Sequence, residues 1–206
     1  MDVSQKGKIC GTSITFLQLA LDIVPSNPAY ISEKRRDSMQ QITVKAPEPY
    51  PPVRVAGQNH SYALFLMQDM ASSRGEMTAI YQYLYGNWIF QSSHASIADT
   101  MKRIAQVEMH HLDLLGQMIV LLGGEPMCAA SPDRCATAWN GDQVRYDREI
   151  RQVLSWNIQL EREAVETYTI QARQIKDPYV SALLARLALD ERLHEKILKN
   201  FLAQCM

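Results

Sequence analysis

The stretch VEMHHLDLLG at 107–116 sets one glutamate, two adjacent histidines and an aspartate among apolar residues. Charges on an amphipathic helix usually form its solvated face. Glu108 and His111 are three residues apart, so they share one face of a helix. Strides of three and four residues place this pair within the apolar stripe, which comprises Met101, Ile104, Glu108, His111, Leu115, Met118 and Leu122. The pair is therefore expected to point into a core. His110, rotated by about 100°, is expected at a helix interface or the surface.

A second helix carries the same insertion. DERLH at 190–194 places another Glu-x-x-His within an apolar stripe made of Val180, Leu184, Leu187, Glu191, His194, Leu198 and Phe201. Asp190, like Asp113 in the first helix, is either a solvated charge or an acceptor for the outer N–H of a liganding histidine. Two such pairs on core stripes are a stronger signal than one, because single matches occur by chance.

Two further helices each contribute one inward glutamate. Glu76 and Glu161 are each followed by alanine at +3 and by tyrosine at +7, namely Tyr83 and Tyr168. The neighbouring Glu163 and Glu166 are rotated away from Glu161 and are expected on the surface. Counted from the helix ends at about 1.5 Å per residue, all four inward glutamates lie at a similar level. Four carboxylates and two imidazoles are therefore predicted to converge.

Helical periodicity predicts four long segments at 59–92, 95–122, 147–175 and 178–204. Short turns join the first two and the last two, so each pair forms an antiparallel hairpin. The long polar segment 123–143 can cross the length of a bundle. The predicted fold is therefore all-α, a ferritin-like four-helix bundle of two antiparallel hairpins joined by a long crossover.

An amino-terminal arm precedes the predicted bundle. KAPEPYPPVRV at 45–55 holds four prolines, which exclude a helix and favour an extended segment on the bundle surface or on a partner subunit. A short helix is possible at 13–23. We predict two regions, the arm at 1–58 and the bundle at 59–206.

Buried carboxylates require compensating charge. Without it, keeping four buried carboxylates charged would cost many kcal/mol, and they would protonate instead. Two divalent cations would cancel four carboxylates, with a neutral histidine completing each coordination sphere. Oxygen-rich coordination with one imidazole per metal suits iron or manganese better than zinc. The alternative is a buried polar network without metal.

Composition excludes several other classes. The net charge is −1, so nothing indicates nucleic acid or an anionic membrane surface as a partner. No apolar run approaches the roughly 20 residues of a membrane span, and we expect a cytoplasmic protein. Cys10, Cys128, Cys135 and Cys205 form no C-x-x-C pair, which disfavours a zinc ribbon or iron–sulfur knot. Cys128 and Cys135 share one loop and could pair.

Several stretches resemble the ferritin-like superfamily of di-metal carboxylate proteins. GEMTAIYQY at 75–83 and EMHHLDLLGQMIVLLGGEP at 108–126 are similar to helices of bacterioferritin and rubrerythrin. Residues 47–204 resemble clostridial-type ferritin-like proteins, some of them labelled manganese-catalase-like. The resemblance implies that Glu108 and Glu191 bridge two metals. It also implies that Glu76 with His111, and Glu161 with His194, complete the two positions.

The resemblance further implies that Tyr83 and Tyr168 support the ligands or quench radicals, although buried tyrosines at helical spacing are often simply core. We expect a dinuclear iron or manganese oxidoreductase that acts on H₂O₂ or O₂, of the peroxidase or catalase type. No rubredoxin cysteines follow the bundle, so peroxide reduction would need a separate electron-donor protein. The alternatives are a ferroxidase or iron-storage subunit and a non-enzymatic, metal-stabilised structural protein. The proline-rich arm favours a homodimer or small assembly over a closed shell.

Overall fold

The computed structural model describes residues 42–131 and 138–205. This part of the chain forms five α-helices and one short 3₁₀-helix at Gly141–Gln143. It contains no β-strand, only one isolated bridge between Ala129 and Ala138. The helices are α1 (His60–Ala71), α2 (Glu76–Phe90), α3 (Ala95–Leu121), α4 (Ile150–Gln174) and α5 (Pro178–Gln204).

The helices form two hairpins, α2 with α3 and α4 with α5, joined by the long crossover between α3 and α4. This confirms the all-α bundle predicted from the sequence. Helix starts follow local chemistry: the Glu149 carboxylate accepts from the amides of Arg151 and Gln152, and Asp177 caps α5 directly before Pro178. None of the described helices is both long enough and apolar enough to cross a membrane.

The first predicted segment, 59–92, is not one helix. The chain leaves helical geometry at 72–75, between α1 and α2. Ser72 and Ser73 have modest helix propensity, and Gly75 lies so close to the preceding turn that a Cβ would stand 2.4 Å from the Asp69 carbonyl oxygen. The prediction of a continuous helix was wrong because apolar periodicity persists across this break. As a result, Glu76 opens α2 instead of lying in mid-helix.

Two apolar clusters occupy opposite ends of the bundle. One contains Leu115 and Met118 of α3 with Leu184 and Leu187 of α5. The other contains residues nearer the opposite ends of the same helices, such as Ile104 and Leu198. The buried polar residues of the next section lie between the clusters, so the bundle has a polar layer within an apolar core.

Residues 42–58 have no helix or strand and run along the bundle of their own chain. The Ala46 amide donates to Asp190 at 2.6 Å, and the Ala56 amide donates to Asp177 at 2.7 Å. Arg186 in α5 donates to the Glu48 carbonyl oxygen at 2.7 Å. These bonds bury Val44 and Ala46 against the helices. The predicted helix at 13–23 lies outside the described residues, as does Cys135.

Candidate metal centre

The six side chains that the sequence predicts to converge do meet in the middle of the bundle. Glu76 comes from the first turn of α2 and Glu161 from α4, while α3 and α5 each contribute one Glu-x-x-His. None of the six is more than 4% exposed; they are Glu76, Glu108, His111, Glu161, Glu191 and His194. Four carboxyl groups and two imidazoles therefore share a site that bulk solvent does not solvate.

One half of this cluster surrounds His111. Its Nδ1 atom lies 2.9 Å from Glu108 Oε2, 3.0 Å from Glu191 Oε1 and 3.7 Å from Glu76 Oε1. All four side chains can offer a ligand atom within 4.8 Å of the others. This half can hold one cation.

The other half repeats the arrangement around His194. Its Nδ1 atom lies 3.0 Å from Glu108 Oε1, 3.1 Å from Glu191 Oε2 and 3.6 Å from Glu161 Oε2. Glu108 and Glu191 thus present one oxygen to each histidine, whereas Glu76 and Glu161 each serve one half only. The two rings stack with centroids 6.5 Å apart. The cluster is therefore two overlapping four-residue groups that share two carboxylates.

The inner atoms of this cluster fit a pair of cations. Both oxygens of Glu108, Oε1 of Glu191 and Nδ1 of His111 are buried without a hydrogen bond. Native proteins rarely bury such atoms without partners, and a bound ion commonly satisfies those that lack a hydrogen bond. The donor set, with six carboxylate or imidazole groups and no thiolate, suits iron or manganese.

Without bound cations, burial shifts the pKa values of the glutamates and histidines in this cluster. Burial and the neighbouring Glu108 raise the pKa of Glu76 to about 8, and burial raises the pKa of Glu161 well above its usual range. Burial opposes the charged form of both histidines, but the adjacent glutamates outweigh it and raise the pKa of His111 and of His194. Protons thus take the role that two divalent cations would otherwise fill.

Both candidate tyrosines contact the cluster, and each crosses to the opposite hairpin. Tyr83 of α2 donates a hydrogen bond to Oε1 of Glu161, and Tyr168 of α4 donates to Oε1 of Glu76. Burial raises the pKa of both hydroxyls well above the usual value, so both remain protonated donors. The +7 spacing in the sequence therefore corresponds to a reciprocal pair of hydrogen bonds.

The outer nitrogens of the two histidines have different partners. His111 Nε2 lies 3.0 Å from Oδ2 of Asp190, whereas His194 Nε2 lies 2.8 Å from the Val44 carbonyl oxygen. Of the two aspartates proposed to accept the outer N–H of a liganding histidine, Asp190 is the one that lies beside such a nitrogen. The other, Asp113, is exposed and accepts from Gln117.

Sequence reasoning missed the arm's contribution to this outer layer. The Tyr50 hydroxyl donates to Oδ2 of Asp190 at 2.5 Å, and Arg186 Nη1 lies 3.0 Å from the same oxygen. The guanidinium also lies over the Tyr50 ring, 4.2 Å from its centroid. Val44 participates through its backbone, which no residue pattern reveals. His110, predicted off the site, is exposed and meets the Tyr50 ring edge-on.

A cavity of about 20 Å³ touches the cluster and is lined by Glu76, Glu108, Glu161 and Glu191. This volume accommodates roughly one water-sized molecule. A larger cavity of about 350 Å³ shares Arg74, Ala164 and Tyr168 with it and is also lined by Asp69. Both cavities therefore lie on the side of the cluster where α1 ends and α2 begins.

The fold and the paired carboxylate–histidine groups define a ferritin-like protein. Residues 72–206 match the ferritin-like domain family, and the chain belongs to it. The predicted resemblance to the ferritin-like di-metal carboxylate superfamily is thus confirmed.

Individual relatives are distant. A probable manganese catalase of Clostridium acetobutylicum is 23% identical over 168 residues, which are 73% of this chain and 74% of that protein. The crystal structure of a manganese catalase from Anabaena PCC7120 has a TM-score of 0.68 and 22% identity, covering 80% of this chain and 81% of that one. Rhodobacter capsulatus bacterioferritin has a TM-score of 0.59 and 18% identity, covering 71% and 87%. These structural likenesses establish the fold.

Proposed function

We propose that the protein is a dinuclear manganese or iron oxidoreductase that acts on hydrogen peroxide and protects against oxidative stress. The leading reaction is disproportionation, in which two H₂O₂ molecules yield two water molecules and one O₂. The observation that carries the proposal is the pair of overlapping groups that share Glu108 and Glu191. The similarity of the chain to two proteins named as manganese catalases supports the same reaction.

In this proposal Glu76 and His111 would hold one metal, Glu161 and His194 would hold the other, and Glu108 and Glu191 would serve both. Manganese or iron would supply the exchange of electrons with peroxide, by cycling between divalent and trivalent states. The four carboxylates would cancel the charge of two divalent ions and would favour the higher charge.

The protein's own groups would orient the ligands, limit the size of the substrate and exclude bulk water. Tyr83 and Tyr168 hold the two terminal carboxylates by hydrogen bonds and so fix the direction of their oxygens. The small cavity beside Glu76 has room for roughly one water-sized molecule, which favours an oxidant as small as peroxide over larger compounds. The apolar clusters above and below the polar layer limit access by bulk water.

Peroxide reduction is the competing reaction in this class. It needs two electrons per H₂O₂ from an electron donor and favours iron, whereas disproportionation needs no outside reductant and favours manganese. The test measures O₂ release on addition of H₂O₂ to manganese-loaded and to iron-loaded protein. Release from the manganese form supports disproportionation. Peroxide loss without O₂, only with an electron donor present, would support reduction, and no peroxide loss in any form would reject both.

A second candidate is a ferroxidase subunit of an iron-storage cage, which the likeness to bacterioferritin favours. Size-exclusion chromatography separates the two because we expect a homodimer, whereas storage requires a large closed shell. Retention of many iron atoms per chain after aerobic loading would support storage. A third reading, a metal-stabilised structural protein, requires bound metals that react with neither O₂ nor peroxide.

Metal identity is tested by elemental analysis of protein purified from its native host. We expect close to two iron or manganese ions per chain. Glu161→Ala should lower that number, and a chain with neither metal would contradict the proposal. The exposed Glu166 gives the control, since Glu166→Ala removes a carboxylate of the same helix without touching the site.

A further inference from the structure

The two halves of the centre are alike on the inside. Each histidine presents Nδ1 to both shared glutamates, at distances between 2.9 and 3.1 Å. Each terminal glutamate accepts a hydrogen bond from one buried tyrosine. These inner groups alone would give two cations nearly equal surroundings.

The halves differ in what holds each imidazole from outside. Nε2 of His111 faces a carboxylate, Asp190, and Nε2 of His194 faces a backbone carbonyl, that of Val44. A carboxylate that accepts the outer N–H of a liganding histidine makes the imidazole a stronger electron donor to the metal. A neutral carbonyl has a weaker effect because it carries only a partial charge.

The surroundings of the Asp190 carboxylate favour its charged form. It is fully buried, and its two oxygens are close to four donors from His111, Tyr50, Arg186 and the Ala46 amide. Hydrogen bonds to a carboxylate and a guanidinium beside it both favour its charged form. Arg186 offsets part of the negative charge, so the effect on the metal should be at the lower end of the 10- to 100-fold range typical of such outer partners.

We propose that the two metal positions are inequivalent, with the position of Glu76 and His111 binding its ion about tenfold more tightly than that of Glu161 and His194. The first ion bound therefore occupies the His111 side. The same interaction stabilises a higher charge there, so this ion is also the more readily oxidised of the two. The inference rests on the proposed dinuclear centre, and Asp190 acts in it as a positioning residue through His111.

Two matched variants test the difference directly. Glu161→Ala keeps the His111 position and Glu76→Ala keeps the His194 position; each loses one terminal carboxylate and leaves one tyrosine without its acceptor. Titration with Mn²⁺, with free Mn²⁺ counted by electron paramagnetic resonance, gives the affinity of the position that remains. We expect Glu161→Ala to bind about tenfold more tightly. Equal affinities or the reverse order would overturn the inference, whereas no binding by wild type would reject the dinuclear proposal itself.

Asp190→Asn in the Glu161→Ala background assigns the difference to the carboxylate. We expect its Mn²⁺ affinity to fall to that of Glu76→Ala. The matched control is Asp113→Asn, which changes an exposed aspartate of α3 and should leave the affinity unchanged. An unchanged affinity in Asp190→Asn would overturn the assignment.

Wild-type protein provides a measurement that does not depend on the folding of any variant. Crystals of metal-free protein are soaked with one equivalent of Mn²⁺, and anomalous scattering is recorded at the manganese edge. The expected result is a dominant peak beside His111. Two equal peaks, or a dominant peak beside His194, would overturn the inference.

Discussion

Gly75→Ala should lower the free energy of unfolding and also disturb the candidate metal centre. A Cβ at this position would lie 2.4 Å from the Asp69 carbonyl oxygen and 2.9 Å from the Met70 carbonyl carbon. Both are backbone atoms, so the chain must shift instead of a side chain rotating away. Overpacking of this kind costs about 1–3 kcal/mol. For a domain of this size that corresponds to a fall in Tm of roughly 2–12 °C.

The shift would displace Glu76, the next residue, from its present distance of 3.7 Å to His111 Nδ1. The assay is thermal unfolding of metal-free protein, with metal stoichiometry measured separately after loading. Gly116→Ala is the matched control, because nothing lies within 4 Å of its Cβ position in α3. Alanine is favoured over glycine in a helix by about 0.5–1 kcal/mol, so this control should raise Tm. If Gly75→Ala matched wild type in both Tm and metal content, the steric account of the helix break would be refuted.

Further measurements test the buried polar groups. Burial raises the pKa of Asp69 to about 7, so its contribution to stability is greatest at low pH and is lost as pH rises through that value. Urea unfolding at about pH 5.5 and about pH 8.5 should therefore show a smaller pH dependence for Asp69→Asn, which keeps an acceptor for Gln171, than for wild type; an equal dependence would contradict the assignment. Tyr83→Phe, which leaves a buried oxygen of Glu161 without its donor, should lower the free energy of unfolding by about 1–3 kcal/mol. Tyr62→Phe, which removes an exposed hydrogen bond, should lower it by about 0.5–1.5 kcal/mol or less. Metal removal by a chelator should lower Tm, since an ion at one hundred times its Kd stabilises the folded state by about 2.7 kcal/mol, and an unchanged Tm would argue against a tightly bound metal.

The sequence predicted the polar layer because its residues interrupt otherwise apolar stripes. Glu108 and His111 at the core positions of α3, and the same spacing in α5, place charge where a helix would normally carry leucine. The equal levels of the glutamates follow from helical rise alone. These are local properties of amphipathic helices, and they require no knowledge of tertiary contacts.

The features that were missed depend on tertiary contacts or on the backbone. The break at 72–75 brings Gly75 close to the Asp69 carbonyl oxygen, and such a backbone contact is not encoded in apolar periodicity. The partner of His194 is a carbonyl oxygen, and every residue has one. Tyr50 and Arg186 reach Asp190 across long sequence separations, so their part in the centre becomes visible only when the arm is placed on the bundle.

The bond between Val44 and His194 joins residues 150 positions apart. A chain emerging from the ribosome would have made the arm and the first Glu-x-x-His long before the second, and until α5 is available neither the shared carboxylate pair nor either complete cation position exists. The bonds that hold residues 44–50 also cannot form before this helix is made, since Asp190 and Arg186 lie on it. At the proposed centre, a metal ion can therefore find all of its ligands only after α5 has been made, and a chain truncated within α5 would lack Glu191, His194 or both.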